Sequence, residues 1–210
     1  IKHSRIEDQV SFCIKDWKNN PNFLIKKIQK NLGIKSLIVR SSALSEDGFL
    51  SSSAGMYTSI LNVNGSKPNE LKKAINTVIN SYPDKNIYNE LLVQPMLKNV
   101  LISGVVFTRS LQDGAPYYTI NYDDISGSTE SITNGTSQED KTLIIRRDVC
   151  SKEKTIPKNL VNILPAIREV EDLLNYDSLD IEFAITKDFG VHILQVRPIA
   201  VEHSLKQSTD

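Results

Sequence analysis

Two short stretches constrain this chain most. Leu37-Ile38-Val39-Arg40-Ser41-Ser42-Ala43 lies near its start, and Asp180-Ile181-Glu182-Phe183-Ala184 lies near its end, followed by Gln195-Val196-Arg197-Pro198. In each, apolar β-formers carry charged or amide side chains at strand spacing. Residues two apart on a strand share a face, so Asp180 and Glu182 project together, as do Gln195 and Arg197. Lys187-Asp188-Phe189-Gly190 between them reads as a hairpin turn. If Lys187 pairs with Gly190, Glu182 falls opposite Gln195 and Asp180 opposite Arg197, and the four heads meet on one face. A slip of one residue would separate them. Such a group suits a metal-chelated polyphosphate: Glu182 and Gln195 offer oxygens to a hard cation such as Mg²⁺, and Arg197 grips phosphate through its planar fork of donors. Spacing alone leaves open a solvent-facing strand face with an Asp180–Arg197 ion pair. Asp188-Phe189-Gly190 matches a protein-kinase tripeptide, but neither an H-R-D catalytic loop nor a V-A-I-K strand accompanies it, so it is read as a turn.

Strands outnumber helices along the rest of the chain. Short strands are expected at Phe12 to Ile14, Ser36 to Arg40, Gly55 to Val63, Leu91 to Leu97, Ser103 to Arg109, Tyr117 to Tyr122 and Thr142 to Arg147, before the closing pair Leu179 to Ile185 and Val191 to Val196. Lys98-Asn99 forms a tight link. One helix runs from Pro21, capped by Asn20, to Gly33, with Phe23, Leu24, Ile28 and Leu32 toward the core. A second opens at Pro68 and buries Leu71, Ile75, Val78 and Ile79. A third spans Asn159 to Leu174, with Leu160, Ile163, Leu164, Ile167, Val170 and Leu174 as its apolar stripe. Many short turns between strands favour α+β with mainly antiparallel sheets over a doubly wound parallel sheet.

Composition narrows the function classes. Lys plus Arg equals Asp plus Glu, 25 each, whereas a nucleic-acid protein should carry a basic excess. Only seven of those cations are Arg, which singles out Arg40 and Arg197 inside apolar strands. The 210 residues are 40% hydrophobic, enough for a real core. Cys13 and Cys150 form neither a metal spacing nor a disulfide framework and read as reduced thiols of a cytoplasmic protein. No apolar run reaches the ~18–20 residues that span a membrane, and no signal peptide is visible. The chain opens on Ile1, which reads as a fragment of something longer.

Two further segments invite a ligand. Arg40 leads into Ser41 to Ser53, a loop of small polar residues such as would cover phosphate, though it matches no Walker pattern. A mobile surface loop is the other reading. Leu92-Val93-Gln94-Pro95-Met96 is an apolar strand broken by Pro. The break could expose backbone groups to an adenine edge, with Met96 lining an apolar slot. An edge strand with Met96 in the core is the alternative.

Together these segments resemble the N-terminal ATP-grasp domain of phosphoenolpyruvate synthases and pyruvate phosphate dikinases. Val39-Arg40-Ser41-Ser42-Ala43 with Glu46-Asp47 is similar to the family's "VRSSA..ED", and Ser53-Ala54-Gly55 through Tyr57-Thr58 to Leu61-Asn62-Val63 to its "S.AG...T.LNV". Val93-Gln94, Met96 and Ser103-Gly104-Val105-Val106-Phe107-Thr108 resemble "VQ.M...SGV.FT". The closing strands resemble "DIEWA" and "LQ.RPI". The matches occur in family order from about residue 11 to residue 200.

The resemblance implies an ATP-grasp-like fold of two lobes over residues 1–200, with 201–210 a linker toward a phospho-histidine domain. It places ATP between the lobes, with Arg40 and Arg197 on its phosphates and the loop through Gly55 and Thr58 folded over them. Gln94 and Met96 would meet adenine; Glu182 and Gln195 would hold Mg²⁺, with Asp180 close by. Glu130 falls where the family has a further acid, although Ser126-Gly127-Ser128-Thr129-Glu130 lacks the usual pattern. Arg109-Ser110-Leu111 replaces the Asp or Asn and Pro expected after "FT". The family's phosphate-binding Lys would lie upstream of Ile1, and its phosphorylated His and acceptor domain downstream of Asp210. In the family the β-phosphoryl group of ATP passes to that His and then to a small acceptor, leaving AMP and phosphate. Pyruvate is the commonest acceptor. The short opening with Asp16-Trp17 resembles variant synthases of bacterial surface-polysaccharide genes, including L-glutamine kinases that phosphorylate the glutamine amide for capsular phosphoramidate. The competing reading is a catalytically inactive ATP-sensing module of the same fold.

Overall fold

The strands of this chain form two separate sheets. The computed structural model describes residues 1–33, 35–42, 58–84, 86–127, 141–148 and 156–199. Among them two compact units are distinguished, one built from residues 7–42 and 58–98, the other from 1–6 and 99–199. The expected loop beyond Ser42, the start of the strand expected from Gly55, Cys150 and the 201–210 linker lie outside the described residues. Among those residues no helix is long and apolar enough to cross a membrane.

The first unit comprises β1 (Val10–Cys13), α1 (Ile14–Asn19), α2 (Pro21–Leu32), β2 (Ser36–Ser42), β3 (Ser59–Asn64), α3 (Pro68–Ser81) and β4 (Glu90–Pro95). The strands form an antiparallel sheet in the order β1-β4-β2-β3. Both long helices begin on Pro, where a missing N–H costs nothing. Gly33, with φ at +74°, ends α2 in a conformation that a side chain would resist. Leu24, Ile25, Ile28 and Leu32 of α2, with Leu71, Ala74, Ile75 and Val78 of α3, belong to one core with Val10, Phe12, Leu37, Val39, Val63, Leu91 and Val93. Burying each Leu or Ile contributes about 1.5–3 kcal/mol. Phe23, expected inside, is 61% exposed. At 3.6 residues per turn it lies roughly 140° round the helix from Ile28, and Ile25 takes the core position instead. An extra residue bulges β3 opposite β2, between the Leu37–Val63 and Val39–Ile60 pairs. Asn62 sits there with φ at +56°, a conformation Asn tolerates better than most residues.

The second unit comprises β5 (Val100–Phe107), β6 (Tyr117–Asp123), β7 (Lys141–Arg146), α4 (Ile163–Leu174), β8 (Leu179–Thr186) and β9 (Val191–Pro198). Its antiparallel sheet runs β7-β6-β5-β8-β9. The tight Lys98-Asn99 link therefore joins strands of different sheets, with Asn99 left-handed at φ +56°. Helix α4 starts at Ile163, four residues later than its apolar pattern implies. That puts Pro165 in the first turn, where its missing donor has no helical partner to lose. Left-handed Asn175 ends the helix and leaves Leu174 53% exposed rather than buried. The core gathers Ile163, Leu164, Ile167 and Val170 with Ile102, Val106, Ile120, Ile181, Phe183 and Ile185.

Residues ahead of β1 complete this unit. Arg5 bridges in parallel to His192, donating its N–H to the Val191 carbonyl (2.8 Å) and accepting from the Ile193 N–H (2.9 Å), so the edge of β9 is covered. The Glu169 carboxylate of α4 gathers the N–H groups of Lys2, His3 and Ser4. Burial works to raise its pKa, but those donors together hold it at about 2. No sequence signal marks this bridge, because residues 1–6 carry no strand pattern.

Gly104 of β5 shows how tightly the core constrains backbone. It pairs with Phe183, and a Cβ there would lie 2.6 Å from the Phe183 ring and 2.5 Å from the Asn121 carbonyl oxygen. Gly104→Ala should destabilise the unit by about 2–3 kcal/mol in urea titration. Adding Phe183→Leu should recover part of that loss, and an alanine variant as stable as the parent would contradict the packing.

Candidate functional site

The closing hairpin reaches the expected pairs by an unexpected route. Thr186, not Lys187, faces Gly190: its N–H donates to the Gly190 carbonyl at 3.1 Å, and the Phe189 N–H closes the turn on the Thr186 carbonyl at 2.8 Å. Phe189 is left-handed at φ +59°. This is a three-residue loop of the kind that ends in a left-handed residue. Continued regularly, the register would set Glu182 opposite Leu194. A bulge supplies one extra residue in β9 between the Phe183–Ile193 and Glu182–Gln195 pairs. Glu182 therefore meets Gln195, and Asp180 meets Arg197. Bulges of this kind bend a strand and re-aim its side chains.

Alternation along β8 divides its side chains. Leu179, Ile181, Phe183 and Ile185 belong to the core with α4, so Asp180 and Glu182 take the opposite face. There the Arg197 guanidinium donates from Nη2 to Glu182 Oε1 at 3.0 Å, and its Nε lies 3.9 Å from Asp180 Oδ2. The side chains are 16% (Arg197), 21% (Asp180) and 8% (Glu182) exposed, so water screens them weakly. On the neighbouring strand Val105 pairs with Glu182 and Phe107 with Asp180, and neither can donate a hydrogen bond. Burial pushes the Asp180 carboxyl up to about 6; Arg197 draws it down and Glu182 raises it further. Asp180 Oδ1 is buried with no hydrogen-bond partner.

This arrangement fits a hard cation. The donors are carboxylate and amide oxygens only, and one buried carboxylate oxygen lacks a partner that a cation could supply. Among the described residues no three His, Cys, Asp and Glu side chains gather into a metal group. A cation here would rely on Glu182, Gln195, Asp180 and oxygens of its ligand. The expected Asp180–Arg197 ion pair is present too, with Glu182 sharing the guanidinium.

Arg40, Thr58, Gln94 and Met96 belong to the first unit. Arg40 pairs with Leu92 and Ser59, and Gln94 pairs with Ile38. Arg40 and Gln94 thus share a face of adjacent strands, one diagonal step apart, roughly 7–8 Å. It is the face opposite the core-facing Leu37, Val39, Leu91 and Val93. Gln94 is buried and donates its amide to Gln9 Oε1 at 3.1 Å. The proposed backbone break at Pro95 is not found: Pro95 still pairs with Leu37, and the Met96 N–H donates to the Ser36 carbonyl at 2.8 Å. The Thr58 carbonyl accepts the Ser41 N–H at 3.3 Å. Gly55 and Glu130 lie outside the described residues.

One ionic group escaped the sequence reading. Glu171, 7% exposed, accepts from the Tyr118 hydroxyl at 2.8 Å and from Arg147, whose guanidinium lies 4.7 Å from the centre of the Tyr118 ring. Arg147 also donates to the Thr108 carbonyl at 2.9 Å, and Arg109 pairs with Asp177. The buried Thr108 hydroxyl bridges the Asp177 carbonyl and the Leu179 N–H, both at 2.7 Å. These bonds secure the chain immediately before Asp180. Glu171 lies four residues after Ile167 on the apolar stripe of α4, and a charge on that stripe was the available signal.

The Asp180 environment has a measurable consequence. Its folded pKa of about 6 exceeds the ordinary 3.8, so the folded chain retains a proton that the unfolded chain releases. Its ionisation therefore costs stability above pH 6, and the cost vanishes toward pH 4. Asp180→Asn should stabilise the ligand-free protein by about 2 kcal/mol at pH 7.5, with the difference from wild type closing as pH falls to 4. Urea titrations at both pH values test this, and an asparagine variant less stable than wild type at pH 7.5 would refute it.

Residues 21–170 match the family described as "Pyruvate phosphate dikinase, AMP/ATP-binding domain". No curated protein matches the chain. A solved structure of a protein from Pyrococcus horikoshii Ot3 is similar in fold, with a TM-score of 0.55 at 16% identity over 93% of this chain and 84% of that one. The D-alanine-D-alanine ligase from Coxiella burnetii (TM-score 0.49, 15% identity) and the VanG D-Ala:D-Ser ligase from Enterococcus faecalis (TM-score 0.49, 14% identity) each align with 95% of this chain. The chain spans only 44% and 50% of the lengths of those two ligases. With an α+β fold of two antiparallel sheets and a family match over most of its length, this chain belongs to the family of the pyruvate phosphate dikinase AMP/ATP-binding domain.

Proposed function

We propose that this chain is the ATP-binding part of a multidomain phosphotransferase. It prepares the β-phosphoryl group of ATP for transfer to a histidine on another domain, and from there to a small acceptor, with AMP and phosphate released. The observation that carries the reading is the row of Glu182 against Gln195 and Asp180 against Arg197 on a single sheet face. In this reading Arg197 and Arg40 bind phosphate oxygens and orient the chain of phosphates. Glu182 and Gln195 hold Mg²⁺ with Asp180 beside them, and the ion neutralises charge on the phosphates. Gln94 and Met96 contact adenine, and Gly55, Thr58 and Glu130 also contribute to nucleotide binding. Neither acid of the cluster attacks anything; catalysis consists of positioning and charge stabilisation.

The acceptor is an L-glutamine amide or pyruvate. Resemblance of the Asp16-Trp17 stretch to variant synthases favours the amide, and a phosphorylated amide would serve surface-polysaccharide modification in the cytoplasm. Turnover of the full protein, followed as AMP release, tests the roles assigned here. Arg40→Ala and Glu182→Ala should each lower it about 10²–10³-fold while the unfolding transition stays cooperative. Near-normal turnover in both variants would overturn the assignment. Positional isotope exchange within ATP separates phosphoryl transfer from mere ATP sensing.

A further inference from the structure

The Arg197 guanidinium occupies Glu182, assigned above to a metal, and turns toward Asp180 beside it. It donates to Glu182 Oε1 at 3.0 Å and turns its Nε edge toward Asp180 at 3.9 Å. One guanidinium thus contacts two mostly buried carboxylates, and Asp180 Oδ1 is left without a donor. Val105 and Phe107 flank the acids from β5 and supply neither charge nor donor.

Resting on the proposed metal and phosphate role of this cluster, we infer that Arg197 is the resident counter-ion of the acid pair and releases it only to nucleotide, so that the domain takes Mg²⁺ together with ATP and not before it. A dication on Glu182 and Asp180 would meet the guanidinium charge a few ångströms away, where burial weakens screening. While Arg197 stays on the acids, that repulsion opposes metal entry. A polyphosphate removes the conflict, because its oxygens accept the guanidinium fork as well as carboxylates do. Arg197 then exchanges one set of anionic oxygens for another, and the acids become available to the cation. Metal and nucleotide affinities are thereby coupled through one side chain, and by linkage each raises the other.

Calorimetric titration of the full nucleotide-free protein with MgCl₂ tests this. Wild type should bind Mg²⁺ weakly without nucleotide, and Arg197→Gln should bind it at least about ten-fold more tightly. Adding Glu182→Gln to that variant should abolish the gain, which ties the ion to this cluster. Arg197→Lys, which retains charge and bulk, keeps the test open should the glutamine variant fail to fold; its Mg²⁺ affinity should remain near that of wild type. If Arg197→Gln binds Mg²⁺ no more tightly than wild type while wild type still binds Mg·ATP, the counter-ion role is wrong and the proposed function stands. If wild type shows no heat with Mg·ATP at millimolar concentration, the proposed function fails and this inference falls with it.

Discussion

The pleat of β8 governs the rest of the second unit. Its period of two sends Leu179, Ile181, Phe183 and Ile185 into the core with α4, and Asp180 and Glu182 to the opposite face. The same eight residues therefore anchor the fold and carry its charges. No loop intervenes between packing and chemistry, so the acids are held as rigidly as the core. Register then determines everything on that face. The turn at Thr186–Gly190 and the extra residue of β9 each shift the pairing by one, and only their combination sets Glu182 against Gln195. Pro198 pairs with Leu179 and closes the hairpin at its far end.

Two groups of buried charge in this unit have contrasting balances. Glu171 receives the Tyr118 hydroxyl and the Arg147 guanidinium, one on each carboxylate oxygen. It braces α4 against β6 and the end of β7, and nothing in it calls for a ligand. Asp180 shares a single guanidinium with Glu182 and keeps one oxygen unmet. Buried polar groups are almost always satisfied, and one that is not identifies a place where the ligand-free fold bears a cost. The two groups are linked along the chain by the Thr108–Asp177–Leu179 bonds, which fix the strand just ahead of Asp180.

Much of the fold was legible wherever short-range rules suffice. Pro21 and Pro68 begin their helices, Gly33 ends one, and strand alternation identified β2, β5, β6, β8 and β9 within a few residues. The pairs Glu182–Gln195 and Asp180–Arg197 were also legible, although the turn assumed for them was wrong by one residue and the β9 bulge corrected it. Phe23 and Leu174 were misplaced because apolar character was read without their angular position or the helix end. The division of β4 and β5 between two sheets, and the N-terminal segment docked on β9, left no local signature.

By itself, the sequence determined which residues are strand and helix and which side chains share a face, because those depend on the fixed periods of the backbone and on Pro, Gly and Asn at its breaks. Only the tertiary structure decided that one guanidinium would be divided between Glu182 and Asp180 and that an oxygen of Asp180 would go without a partner. Those outcomes depend on burial and on distances across strands far apart in the chain, quantities that spacing along the chain does not contain.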